Sequence, residues 1–279
     1  MSTYNRKTLK FIIETKKNLC IGIDPNADLL PTGYEKTIDG LKIFFSDIIE
    51  YTFDFCSAYK FNFAFFEAFG KDGWNLMDQI LTIIRERMKT SQTKKILIAD
   101  AKRGDILHSS KQYAKGIFEY WNFDAITVNP YMGFDSIKPF IEYPNKGTIV
   151  LCLTSNPSKV DFEFYGNPPL FLEVARKIYE WNQLYDNVSA VVGATNTLED
   201  LKQIKQITKD IPILVPGIGE QKGSLENVLH VFEWNALINI SRSLIYSAPH
   251  RNDLAQSINN FINNFYDQVQ THLQAKYFS

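Results

Sequence analysis

Cysteine and histidine are scarce in this chain, and their scarcity narrows its chemistry. Three cysteines and four histidines occur among 279 residues. Cys20, Cys56 and Cys152 stand in apolar surroundings without CxxC or metal-ligand spacing. That pattern fits small buried hydrophobes in a reducing compartment, not a disulfide framework or a zinc site. His108, His230, His250 and His272 are scattered, and none ends an apolar run. No Ser-His-Asp arrangement or nucleophilic cysteine has local support. The formal net charge is −1, so no global field favours nucleic acid or a membrane surface. No apolar stretch reaches membrane-spanning length, and Met1 to Lys17 lacks the apolar centre of a signal peptide. These absences predict a soluble, cytoplasmic protein without a metal site and without nucleic-acid or membrane partners.

What the chain does have is a rhythm of short apolar runs: Leu19–Asp24, Cys56–Asn62, Ile96–Asp100, Ala125–Asn129, Thr148–Thr154, Ser189–Gly193, Ile211–Pro216 and Ala236–Ser241. Near-continuous hydrophobicity of this kind suits parallel strands covered on both faces. Amphipathic stretches lie between them, over Thr37–Phe55, Leu76–Met88, Ser109–Trp121, Pro169–Tyr185, Leu198–Thr208, Leu225–Phe232 and Asp253–Leu273. With no Pro/Gly/Ser linker between halves, the alternation predicts one (β/α)8 TIM barrel over residues 1–279. An open doubly wound sheet is the alternative, but the dinucleotide fingerprint is missing after the first run.

In such a barrel the site lies at the C-terminal ends of the strands. Those ends carry Asp24, Lys60 and Asn62, Asp100 and Lys102, Asn129, Thr154 and Ser155, Pro216, and Ser241 with Arg242. The third run is the most demanding. Strand alternation sets Asp100 and Lys102 on one face, Gly104 allows a turn, and Asp105 follows. Burying such charges is costly unless they compensate one another. An amine flanked by carboxylates is held protonated, which suits a proton donor better than a Schiff-base nucleophile. At the seventh and eighth ends, Gly217, Gly219 and Gly223 let backbone N–H groups approach an anion, while Gln221 and Arg242 can donate to phosphate oxygens. Segment Ser158–Pro169, with Phe162, Phe164 and Tyr165, reads as a lid over the site or as an aromatic-anchored surface loop.

Asp100-Ala101-Lys102-Arg103-Gly104-Asp105-Ile106 resembles the signature of the orotidine 5′-phosphate decarboxylases. The resemblance runs through Gly22-Ile23-Asp24-Pro25, Lys60-Phe61-Asn62, Thr127-Val128-Asn129-Pro130, Thr154-Ser155-Asn156-Pro157, Val192-Gly193-Ala194-Thr195, Pro216-Gly217-Ile218-Gly219 and Arg242. The Lys-Phe-Asn, Val-Gly-Ala-Thr and Pro-Gly-Ile-Gly elements are most like the family's second, longer subfamily. The resemblance implies cofactor-free decarboxylation of orotidine 5′-monophosphate to UMP, the last step of pyrimidine nucleotide synthesis. It implies that Lys102 protonates C6, that Asp100 faces the departing carboxylate, and that Lys60 pairs with Asp100. Asp24, Lys60 and Asn62 would contact the ribose or order the row, and Thr154 and Ser155 would read the pyrimidine edge. Gln221 and Arg242 would clamp the phosphate, with Pro216 and Ser241 among the substrate-binding residues. Asp105, Ile106 and Ser109 would act across a homodimer interface. Three positions depart from the family pattern: the turn reads Gly-Glu-Gln-Lys-Gly, with Glu220 where alanine and Lys222 where glycine is expected, and Ser241 stands where glycine is usual. The chain holds no second stretch long enough for a phosphoribosyltransferase domain.

Three other readings remain open on the residues alone. A related barrel acting on a sugar phosphate would use Mg²⁺ to stabilise an enediolate. A Schiff-base aldolase would use Lys60 or Lys102. A catalytically silent barrel would bind the nucleotide without turnover.

Overall fold

The computed structural model describes residues 3–219, 221 and 223–275. Eight strands close into a barrel in sequence order, every neighbouring pair parallel. They are β1 (Leu19–Ile23), β2 (Ala58–Asn62), β3 (Ile96–Arg103), β4 (Ala125–Val128), β5 (Gly147–Leu153), β6 (Val188–Val192), β7 (Ile213–Val215) and β8 (Ala236–Ile240). Each matches one apolar run of the sequence. The (β/α)8 expectation is met.

Two hydrophobic clusters divide the work. The larger fills the space between strands and surrounding helices and contains wholly buried rings such as Phe44, Phe45, Phe61, Phe66 and Phe123. Burying each such side chain contributes roughly 1.5–3 kcal/mol. The smaller lies inside the barrel and joins Cys20, Ala58, Ile98, Ala125, Val191, Leu214 and Leu237 to Tyr4 and Ile12. Those last two come from the helix Tyr4–Thr15, which closes the N-terminal end of the barrel. Gly147 makes room for it, since a Cβ there would lie 2.2 Å from the Tyr4 ring.

Strand alternation explains how the site stands on this floor. Two residues along from inward-facing Ala58, Ile98, Ala125 and Leu237 come Lys60, Asp100, Thr127 and Asn239. The interior therefore changes from apolar to polar in one step toward the C-terminal mouth.

Several boundaries differ from expectation. β3 continues past Asp100 to Arg103, with a register irregularity against β4 between Ala99 and Arg103. The helix Gly70–Ser91 is longer than the predicted Leu76–Met88. The predicted Ser109–Trp121 helix is Leu107–Lys115 followed by a π-helical turn over Gly116–Tyr120. Helix Phe134–Ile141 was not expected, because Pro139 inside it interrupts the helical pattern. Gly104 does not take a left-handed backbone, and the residue that does is Lys102, at φ 47°. Glycine is needed at 104 for space, since a Cβ would lie 2.8 Å from the Asn129 carbonyl oxygen.

Candidate active site

The mouth of the barrel opens into a cavity of about 510 Å³, within the range of small-molecule sites. Asp100 is its electrostatic centre. Its Oδ2 lies 2.7 Å from Lys60 Nζ and its Oδ1 lies 2.6 Å from Lys102 Nζ. Thr127 Oγ1 donates to the same Oδ1 at 2.9 Å and accepts from the Lys102 backbone N–H at 3.0 Å. Thr127 thus locks the row at both backbone and side chain.

The members of the row differ in exposure. The Lys60 and Asp100 side chains are 6% and 11% exposed, whereas that of Lys102 is 51% exposed. Burial by itself would push the Asp100 carboxyl up, but Lys60 and then Lys102 hold it well below the usual carboxylate range. Burial likewise works against the Lys60 ammonium, yet Asp100, with Asp24 behind it, raises its pKa above the ordinary lysine range. Lys102 carries a left-handed backbone without being glycine, a conformation that costs about 1–3 kcal/mol. That backbone brings an exposed ammonium back onto a buried carboxylate.

A second polar group stands on the β1–β8 side. Asp24 Oδ2 accepts from Ser241 Oγ at 2.5 Å, and its backbone carbonyl accepts from the Tyr246 hydroxyl at 3.0 Å. Gly22 is required here, because a Cβ would lie 2.6 Å from Ser241 Cβ. Ser241 therefore orients Asp24. Asp24 Oδ1 and Asn239 Oδ1 are buried acceptors without a hydrogen-bond partner among the described residues. Both residues line the cavity, so a ligand bearing hydroxyl donors matches this side.

Continuing around the rim from β8 lie the turns after β7, β6 and β5. Gly217 and Gly219 have φ of 97° and 92°, which glycine alone adopts readily. Gly217 also packs so closely that a Cβ would lie 2.8 Å from Gln221 Oε1 and 3.3 Å from Ser155 Cβ. Gln221, Ser155 and Arg242 all line the cavity, with Arg242 opening the short helix Arg242–Ile245. Glu220 and Lys222 lie outside the described residues, and the proposed contribution of Lys222 with them.

Of the residues predicted from sequence, Asp24, Lys60, Asn62, Asp100, Lys102, Thr154, Ser155, Pro216, Gln221, Ser241 and Arg242 come together around this one cavity. Asp105, Ile106 and Ser109 do not line it. The Asp105 carboxylate accepts from the Ile106 backbone N–H at 2.7 Å, and Ile106 is 59% exposed. Asn129, read as the polar end of β4, is also elsewhere, its Oδ1 accepting from the Tyr131 N–H. Thr127 takes its place. Thr127 and Asn239 were missed, although their even spacing from inward-facing neighbours was a usable signal.

Segment 158–169 is tied to the site by Glu163. Its Oε2 accepts from the Thr154 backbone N–H at 2.8 Å, and its Oε1 lies 2.6 Å from Thr154 Oγ1. Phe164 anchors the segment against Phe171, while Phe162 and Tyr165 are exposed. Of the three aromatics, one serves as an anchor.

The three thiols are buried, and burial pushes each up from its ordinary value. Among the described residues no group of three or more His, Cys, Asp or Glu side chains is placed to hold a metal ion. No helix among them is long and apolar enough to cross a membrane.

Comparison with known proteins adds the following. Residues 17–256 match the family model described as the orotidine 5′-phosphate decarboxylase / HUMPS family. An orotidine 5′-phosphate decarboxylase of Dehalococcoides mccartyi is 42% identical over 242 residues, covering 83% of this chain and 84% of its own length. One from Christiangramia forsetii is 41% identical over 246 residues, covering 86% and 88%. Among solved structures, the OMP decarboxylase of Leishmania donovani superposes with a TM-score of 0.75 at 33% identity, over 92% of this chain and 98% of that one. The UMP synthase of Leishmania donovani gives 0.77 at 34% identity, over 94% of this chain but 56% of the longer protein.

Proposed function

The chain belongs to the orotidine 5′-phosphate decarboxylase / HUMPS family, and we propose that it converts orotidine 5′-monophosphate to UMP and CO2 in pyrimidine nucleotide synthesis. The observation that carries this reading is Asp100 held between two ammonium groups, 2.7 and 2.6 Å away, at the mouth of a cavity that holds Gln221 and Arg242.

The C6–carboxylate bond breaks, CO2 leaves, and the electron pair stays on C6. The exposed Lys102 ammonium supplies the proton that C6 takes up, and solvent returns a proton to the amine. Asp100 faces the leaving carboxylate, where two negative groups oppose each other until CO2 departs. Lys60, fixed to Asp100, keeps the row in register. Asp24, with its unpartnered Oδ1, takes a ribose hydroxyl together with Asn62. Thr154 and Ser155 border the base, and Pro216, Gln221, Ser241 and Arg242 form the phosphate end. Grip on a phosphate far from C6 is binding energy available for the transition state. In this reading the reaction needs no cofactor.

Asp105, Ile106 and Ser109 are assigned to the site of a second copy. Support comes from their position outside their own cavity and from the exposure of Ile106, with Tyr131 and Met132 also exposed. The working unit is then a cytoplasmic homodimer of single barrels. The sugar-phosphate reading with Mg²⁺ is less well supported, because both oxygens of Asp100 are already engaged by ammonium groups.

The test is absorbance change on mixing the protein with orotidine 5′-monophosphate in buffer containing EDTA. Stoichiometric formation of UMP supports the reading. A folded protein that neither binds UMP nor turns the substrate over contradicts it.

A further inference from the structure

We propose that Glu163 is a positioning residue that sets the base preference of the site, by fixing which end of the Asn156 amide is presented to the cavity. The inference rests on the reading of the cavity as a pyrimidine-nucleotide site.

Thr154 Oγ1 lies 2.6 Å from Glu163 Oε1 and 2.7 Å from Asn156 Oδ1. A hydroxyl has one proton to give, so it cannot donate to both oxygens. The carboxylate is the stronger acceptor and also holds the Thr154 backbone N–H at 2.8 Å. The Thr154 proton therefore goes to Glu163. Half a turn of the Asn156 amide then resolves the conflict, with Nδ2 donating to Thr154 Oγ1. Asn156 lines the cavity, and Oδ1 is the amide atom left for a ligand.

The surrounding backbone is already committed. Asn196 Nδ2 donates to the Thr154 carbonyl at 3.2 Å, and Thr195 Oγ1 donates to the Ser155 carbonyl at 3.0 Å. The loop after β5 thus has little freedom except at Asn156. An acceptor at that position matches a uracil or orotate ring, whose N3 carries a proton. It opposes a cytosine ring, whose N3 is itself an acceptor.

Glu163→Gln reverses the polarity of this chain. The glutamine oxygen keeps the Thr154 N–H, its NH2 donates to Thr154 Oγ1, and the Thr154 proton turns to Asn156 Oδ1. The Asn156 NH2 then faces the ligand. Calorimetric titration with UMP, CMP and ribose 5-phosphate reads this out in wild type, Glu163→Gln, Asn156→Ala and the double variant. The UMP-to-CMP affinity ratio should fall about tenfold or more in Glu163→Gln, with ribose 5-phosphate binding unchanged. Asn156→Ala should lower the ratio too, and adding Glu163→Gln to it should change the ratio no further. For orotidine 5′-monophosphate, Glu163→Gln should raise KM more than it lowers kcat. An unchanged ratio in Glu163→Gln overturns the proposal, as does an equal shift with and without Asn156, or a parallel weakening of all three ligands. A wild-type protein that binds neither UMP nor orotidine 5′-monophosphate removes the nucleotide reading itself, and this inference with it.

Discussion

Asp100 owes its state to its two partners, and the consequences of removing each are different. Lys60→Met leaves a carboxylate that is 11% exposed without its buried counter-ion. Loss of one partner of a buried pair costs about 3–5 kcal/mol, so urea denaturation should show a lower midpoint with an unchanged slope. The sign with pH follows from the two shifts. The depressed pKa of Asp100 gives stability that is present above its ordinary unfolded value and lost as pH falls through the lower folded one. The raised pKa of Lys60 gives stability that is full below its ordinary value and lost as pH rises through the higher folded one. The difference between wild type and Lys60→Met should therefore be flat between about pH 5 and pH 9 and shrink outside that window. Lys102→Ala acts on chemistry instead. It should lower kcat by about 10²-fold or more while UMP still binds in calorimetry, and near-normal turnover would remove Lys102 from its role. The row was legible in the sequence because charges embedded in an apolar run need a reason. Thr127 and Asn239 were not, because a threonine or asparagine in a strand attracts no notice until the inward parity is counted.

At the scale of elements, all the strands were legible because a parallel barrel buries both faces of each. The helices were read less completely. Pro139 hid Phe134–Ile141, and the short helices Phe63–Glu67 and Arg242–Ile245 are too brief to show a period. Close contacts between strand ends were also invisible, since they join residues far apart in sequence. Gly22 and Ser241 are such a pair, and Gly22→Ala should raise KM for orotidine 5′-monophosphate by displacing Ser241 from Asp24. Ser241→Gly in the same chain should recover part of the loss by removing the clash. Steady-state kinetics on the two variants checks this, and additive losses would contradict it. Cys20, Cys56 and Cys152 are all buried. Iodoacetamide followed by mass spectrometry should modify none of them in the native protein and all of them after unfolding.

For the whole molecule, the question is whether one barrel completes its own site. Asp105 stands outside the cavity of its own chain, and Ile106 beside it is 59% exposed. If a second copy receives them, mixing inactive Asp105→Ala and Lys102→Ala subunits should regenerate activity in the mixed dimers. Mixed dimers that stay inactive would return Asp105 to its own chain. The cavity itself was legible as a cluster of polar strand ends.

The central claim is that Lys102, held by Asp100, protonates the carbon that CO2 leaves. It is tested most directly by running the decarboxylation in D2O with EDTA present and analysing the UMP formed. The account predicts full conversion with one deuterium at C6 in the wild type, and conversion slowed by about 10²-fold or more in Lys102→Ala. Rapid formation of deuterated UMP by the Lys102→Ala protein would contradict it.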